Sequence, residues 1–181
     1  MPGSDAGGFE EAEIILEGDR KYRESHCAAD VMNERKVMKD MKDYIRKVNY
    51  HETDRMGITH HSNYIKWMEE ARIDYLEQIG FGYGKLEEDG IISPVTGIQC
   101  QYKNSTTFGD EVKVEVGVEE FRGVRLIIRY TMTNNVTGQL VLTGRSEHCF
   151  LSKDGKPVFL KKVYPELDQT LRELAAAGTD C

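Results

Sequence analysis

The segment Asn63-Tyr64-Ile65-Lys66-Trp67-Met68-Glu69-Glu70-Ala71-Arg72-Ile73-Asp74-Tyr75-Leu76-Glu77-Gln78-Ile79 decides the architecture of this chain. Ser62 before it suits an N-cap, whose side chain satisfies free helical N–H groups, and Gly80 after it suits a stop in the left-handed conformation. At 100° per residue, Tyr64, Ile65, Trp67, Met68, Ala71, Tyr75, Leu76 and Ile79 fill an arc of about 180°, wider than the stripe of a surface helix. Lys66, Glu70, Asp74 and Glu77 hold the opposite arc and are expected to face water, while Arg72 and Gln78 intrude into the apolar half. A helix this broadly apolar needs other elements wrapped around it.

Those elements are strands. Upstream, Tyr44 to Tyr50 alternates weakly enough to predict one strand before a turn-rich stretch, Glu52 to His61. Downstream, a short helical piece is expected around Gly84 to Asp89. From Glu111 to Phe121 the valines Val112, Val114, Val116 and Val118 alternate with Lys113, Glu115 and other polar residues, which is strict period 2. Arg122-Gly123 turns the chain into a strand over Val124 to Thr133, and Asn134 to Gly138 into another over Gln139 to Leu151. Asp154-Gly155 introduces a predicted strand over Val158 to Val163. A last amphipathic helix begins near Pro165, turns Leu167, Leu171 and Leu174 to one side and ends before Gly178. Strands joined this tightly are antiparallel, because a parallel crossover takes a dozen or more residues. The expected class is α+β, an antiparallel sheet curved around a long central helix.

The whole chain, 181 residues with 39% hydrophobic and 30% charged residues, is of single-domain size. No stretch approaches the roughly 20 apolar residues of a membrane span, so no membrane partner is expected. A formal net charge of −7 argues against nonspecific binding to nucleic acid, which takes clustered Lys and Arg. Cys27, Cys100, Cys149 and Cys181 form no CxxC pair and read as reduced thiols. Met1 to Asp5 does not read as a secretory signal, so the expected compartment is the cytoplasm. Residues 1–43 carry an excess of four negative charges and one compact apolar run, Ile14-Ile15-Leu16, and are assigned to an amino-terminal extension, tail or helix, ahead of a domain over 44–181. Met32, Met38 and Met41 lie just before the first strand, and a later translation start there is testable by mass spectrometry of the native terminus.

The chemistry gathers in Tyr50-His51-Glu52-Thr53-Asp54-Arg55-Met56-Gly57-Ile58-Thr59-His60-His61-Ser62-Asn63-Tyr64, at the predicted helix N-terminus. Helix N-termini present unpaired N–H groups and about half a positive charge, which stabilises a carbonyl oxygen as it becomes an oxyanion. A carboxylate beside it can act as nucleophile or as general base toward water. These two parts suffice for thioester hydrolysis, since a thiolate leaves without a strong general acid.

The run Tyr50-x-Glu52-Thr53-Asp54-x-x-Gly57-Ile58-x-x-His61-x-x-Tyr64, followed by Trp67-x-Glu69-Glu70-Ala71-Arg72, resembles the signature of the 4-hydroxybenzoyl-CoA thioesterase branch of the hot-dog-fold acyl-CoA thioesterases. Pro94, Cys100, Tyr102 and Phe108-Gly109-Asp110-Glu111-Val112 extend the likeness, which runs from about Asp43 to Val163. The resemblance implies a hot-dog fold and hydrolysis of acyl-CoA to free acid and CoA, with no cofactor. It puts the catalytic carboxylate at Asp54 and the carbonyl-polarising backbone N–H at His61, whose side chain is a second contributor in some members. It further implies a homodimer or homotetramer with the active site between subunits. Gly57, Tyr64 and Trp67 then fall on the substrate side, and Lys103, Arg122, Arg125 and Arg145 are candidates for the nucleotide phosphates. Asn49, Thr59 and His60 depart from the usual residues of the branch, and these departures bear on the acyl pocket.

Other readings of the same residues are structural. Glu52 reads as a structural partner or strand-end charge, His60 as a surface or packing histidine, and His148 as a satisfied core residue. Glu69 and Glu70 fall toward the solvated arc. Trp67, Tyr64 and Tyr75 are core first and tunnel lining second. His51, His60, His61 and Asp54 match no standard zinc spacing, so no metal is expected. Competing functions are an acyl-carrier-protein thioesterase, a hot-dog hydratase and a noncatalytic acyl-CoA-binding module. The Asp-x-Asn-Pro-x-His motif of the hydratases is absent.

Overall fold

A computed structural model of the chain describes residues 41–178, so the extension assigned to residues 1–43 lies, but for its last three residues, outside the described part. Strand β1 (Tyr44–Lys47) is followed by a 3-10 turn (Tyr50–Glu52) and the long helix α1 (His61–Gln78). A short helix α2 (Tyr83–Glu88) leads to β2 (Ile91–Ile92), β3 (Val95–Tyr102), β4 (Glu111–Phe121), β5 (Arg125–Asn134), β6 (Leu140–Cys149) and β7 (Leu151–Ser152). Helices α3 (Leu160–Val163) and α4 (Pro165–Ala177) close the described chain. The five-stranded sheet has the order β1-β4-β5-β6-β3, every pair antiparallel, and β2 pairs with β7 separately. This is the expected α+β hot-dog arrangement. No described helix is long and apolar enough to cross a membrane.

Helix α1 buries Asn63, Tyr64, Trp67, Met68, Ala71, Arg72, Tyr75 and Leu76, a row of adjacent pairs about one turn apart. Of these, Tyr64, Trp67, Met68, Ala71 and Tyr75 meet Val112, Val114 and Val118 of β4, Leu126, Ile128, Tyr130 and Met132 of β5, and Val141 and Leu142 of β6 in one core. Each large side chain so enclosed contributes about 1.5–3 kcal/mol of transfer free energy, which makes the helix inseparable from its sheet. At its end, Gly80 (φ +88°) lets the Phe81 N–H reach Leu76 O at 2.8 Å and its own N–H reach Glu77 O at 3.0 Å, the paired bonds of a Schellman stop.

Four local expectations need correction. The first strand ends at Lys47 and gives way to the 3-10 turn. Helix α1 starts at His61, capped by His60 rather than Ser62: His60 is extended (φ −63°, ψ 132°), and its Nδ1 accepts the Ser62 N–H at 3.4 Å. The strand expected over Val158–Val163 is a turn followed by α3, because Leu160 N–H bonds to Gly123 O and Tyr164 N–H closes back on Leu160 O at 2.7 Å. Four residues carry too short a pattern to separate the two periods. Strands β2 and β3 were not anticipated.

The two margins of the sheet differ. Strand β1 pairs only with Glu111–Val114, and α4 packs against the remaining length of β4. There Arg129 Nη1 donates to Gly178 O at 3.0 Å, and a Cβ on Gly178 would lie 2.9 Å from Val118 O, so the helix end fits against the strand only as glycine. Strand β3, at the other margin, leaves Val95, Ile98 and Tyr102 exposed by 47%, 40% and 48%.

Candidate active site

The loop between β1 and α1 is held by its own backbone. Thr53 and Thr59 form an antiparallel bridge, Asp54 N–H donates to Ile58 O at 2.9 Å, and Gly57 N–H donates to Asp54 O at 3.0 Å. Inside this tight turn Asp54 Oδ1 accepts the Met56 N–H at 2.8 Å. Gly57 has φ +76°, where a side chain would be strained, and Thr107 Oγ1 donates to its carbonyl at 2.8 Å. The turn leaves Asp54 half-buried on the wall of an open cleft of about 840 Å³. The other walls include Tyr50, Arg55, His60, Ser62, Asn63 and Lys66, so the first turn of α1 and two cations share a cavity with the carboxylate.

His61 is the first residue of α1, and its backbone N–H makes no hydrogen bond to any acceptor among the described residues. Its carbonyl accepts the Tyr102 hydroxyl at 3.1 Å. The His61 ring lies 4.2 Å from that of His60. On its side of the loop is a smaller pocket of about 210 Å³, lined among others by Ile58, Thr59, His61, Tyr64, Tyr102 and Lys103. Two of its lining residues join a buried hydroxyl cluster: Thr106 Oγ1 lies 2.7 Å from Thr59 Oγ1 and 3.0 Å from Tyr64 OH.

Of the residues singled out from the sequence, Asp54 therefore shares the larger cleft with the amino-terminal turn of α1, Tyr64, Lys103 and His61 line the smaller pocket, and Gly57, in the turn, lines neither. Trp67 has no exposed surface and belongs to the core, its indole N–H donating to Glu52 Oε1 at 3.0 Å. Arg122 and Arg125 stand at the far end of the β4–β5 hairpin, paired with Glu120 and Glu147. Arg145 reaches Glu119 and Glu147 at 3.6 and 3.7 Å. Arg55, Lys66 and His60 were missed as cleft residues; Arg55 adjoins Asp54 in sequence, and Lys66 lies one helical turn beyond Ser62. Among the described residues no three His, Cys, Asp or Glu side chains converge as metal ligands.

Buried Glu52 and His148 both titrate well below their ordinary values. Burial would raise the Glu52 carboxyl, yet the Asn49 N–H, the Trp67 indole and the Arg46 guanidinium outweigh it and bring the carboxyl down to about 2. His148 is wholly buried, with Nε2 2.6 Å from Ser146 Oγ, and burial together with the Arg72 cation lowers its imidazole to about 4.

A carboxylate that shares a cleft with the first turn of a helix and with two cations is equipped to take an anionic ester or thioester. The sequence profile of the thioesterase-like superfamily matches residues 48–171. The chain belongs to that superfamily. A Bacillus subtilis relative, provisionally named acyl-CoA thioesterase YneP, is 34% identical over 121 residues, covering 66% of this chain and 87% of that protein. The 1,4-dihydroxy-2-naphthoyl-CoA hydrolase of Thermosynechococcus vestitus is 27% identical over 112 residues, 61% of this chain and 76% of its own. Among solved structures, the DHNA-CoA thioesterase of Staphylococcus aureus superposes with a TM-score of 0.72 at 34% identity, covering 77% of this chain and 93% of that one. The family match leaves out β1 but spans the loop, α1 and strands β2 to β7, so the segment that carries Asp54 and His61 lies inside it.

Proposed function

We propose that this chain hydrolyses acyl-CoA thioesters to free acid and CoA, using Asp54 and the backbone N–H of His61. The observation that carries the reading is the shared cleft: Asp54 and the first turn of α1 bound one cavity, with Arg55 and Lys66 beside them. The His61 N–H polarises the thioester carbonyl and holds the oxyanion. Either an Asp54 oxygen attacks the acyl carbon, breaking the C–S bond to give a mixed anhydride and CoA thiolate, and water then frees the acid; or Asp54 takes a proton from the water that attacks. In both routes the thiolate leaves with the sulfur electron pair and picks up a proton, and Asp54 ends as the carboxylate.

Tyr64 and Lys103, in the smaller pocket, serve the substrate directly, while Gly57 serves by shaping the Asp54 turn and Trp67 through the core. Arg122 and Arg125 meet a nucleotide only where a second subunit brings its cleft to their end of the sheet. The exposed apolar residues of β3 support a homo-oligomer joined along that strand. The free thiols Cys100 and Cys149 support a cytoplasmic location.

The test is thiol release over a panel of acyl-CoAs and acyl-carrier-protein thioesters, comparing wild type with Asp54→Asn. Turnover is expected to fall at least about a hundredfold with substrate binding retained. Unchanged turnover in the variant rejects Asp54; binding of panel members without hydrolysis favours a noncatalytic module.

A further inference from the structure

Glu52 has no part in the reaction just described, yet it is bonded to the segments that flank the Asp54 turn on both sides. Its Oε1 accepts from Arg46 Nη2 at 2.9 Å and from Trp67 Nε1 at 3.0 Å, and its Oε2 accepts the Asn49 N–H at 2.7 Å. Its backbone carbonyl accepts the His60 N–H at 2.8 Å and Asn63 Nδ2 at 2.8 Å. The donors come from β1, the residue that opens the 3-10 turn, the cap of α1 and its first two turns. The side chain is only 6% exposed, so a shift of the carboxylate would strand several N–H groups away from water.

The geometry relative to the reacting groups is specific. Asp54 is two residues downstream of Glu52, and the Thr53–Thr59 bridge ties that stretch to the approach to α1. His60 and Asn63, both bonded to the Glu52 carbonyl, stand on either side of His61. The span between the Asp54 carboxylate and the His61 N–H is thus fixed by covalent chain on one side of Glu52 and by hydrogen bonds on the other.

We propose that Glu52 is a positioning residue for thioester cleavage, holding the Asp54 turn in register with the first turn of α1 through its bonds to Trp67, Asn49, His60 and Asn63. The role rests on the assignment of Asp54 and His61 made above. It works by placement: a misplacement near 1 Å between nucleophile and oxyanion donor is enough to cost about a hundredfold in rate. Gln in place of Glu52 keeps the shape but turns an amide NH2 toward either Asn49 N–H or the Arg46 and Trp67 donors, so one set of bonds is lost.

The experiment measures kcat and KM by thiol release, on the acyl-CoA that wild type turns over best, for Glu52→Gln, Trp67→Phe, their double variant and Leu171→Ala. Leu171 lies in α4, away from the cleft, and its truncation serves as a stability-matched control. Glu52→Gln is expected to lower kcat roughly 10- to 100-fold with KM within about threefold of wild type. The ratio to wild type should stay constant from pH 6 to 9. Leu171→Ala, with an equal or larger drop in Tm, should keep wild-type kcat. Trp67→Phe should show a smaller loss that does not multiply with that of Glu52→Gln. Wild-type kcat in Glu52→Gln, or kcat losses that merely follow Tm across the set, overturn the proposal. Should Glu52→Gln fail to fold, Trp67→Phe decides, since it deletes one donor and keeps a ring in the core, and full kcat there also overturns it. A wild type that hydrolyses nothing overturns the reading of the reaction and this role with it, an outcome separate from a working enzyme indifferent to Glu52.

Discussion

The Tyr102 hydroxyl donates to the carbonyl oxygen of His61 across 3.1 Å, so the last residue of strand β3 is fastened to the first residue of helix α1. The Tyr102 ring also meets Tyr64 edge-on, with 5.7 Å between centroids. Tyr102→Phe removes the bond and keeps the ring. Because the hydroxyl is solvent-accessible, its loss should cost less than about 1 kcal/mol in urea denaturation. Turnover should nonetheless fall several-fold, because the His61 peptide loses one of its anchors.

Stability should rise with pH through the weakly acidic range. Folded His148 takes up its proton only near pH 4, whereas the unfolded imidazole does so near 6.5. Between these values the unfolded chain binds more protons, so the contribution is complete above about 6.5 and lost as pH falls toward about 4, with a slope of at most about 1.4 kcal/mol per pH unit. Glu52 acts in a lower window: its folded carboxyl titrates near 2 against an ordinary 4.5, so stability falls again below pH 4.5. Urea midpoints at half-unit steps from pH 4 to 8 check the first window, and His148→Gln should flatten it.

Gly57→Ala isolates the backbone of the Asp54 turn. A Cβ there meets nothing within 4 Å, so the cost comes from φ +76° alone, about 1–2 kcal/mol in the turn. Relief of that strain rotates the peptides next to Asp54, and the expected result is a drop in kcat of about tenfold or more with a native circular dichroism spectrum.

The sheet and the long helix were legible because their periods are strong: Val112 to Val118 alternate faithfully, and the apolar half-circumference of α1 could only be covered by other elements. The loop was legible through its residue types, Asp54-x-x-Gly57 above all. Strand β3 gave no such signal, since it has a single ladder partner and Val95, Ile98 and Tyr102 are all exposed, so neither of its faces imposes a pattern. The cap at His60 escaped because imidazole is not an ordinary capping group. Glu52 could be named only as a partner or a strand-end charge, because its bonds reach Trp67, 15 residues away, and depend on the fold.

Ile98→Lys tests the assembly proposed along β3. A charged side chain on an exposed strand is a standard block to edge pairing. Light scattering should show the mass per particle falling to that of one chain, and turnover should fall with it if the active site needs both subunits.

The close seat of Gly178 beside Val118 limits how these molecules can gather. Growth of an endless ribbon requires every unit to offer two free borders of useful length, and here the border opposite β3 offers only the four residues of β1, because a helix of the same chain screens β4 beyond them. Replacing Gly178 with a bulky residue would pry that helix away and, by lengthening the second border, make fibrous precipitation easier.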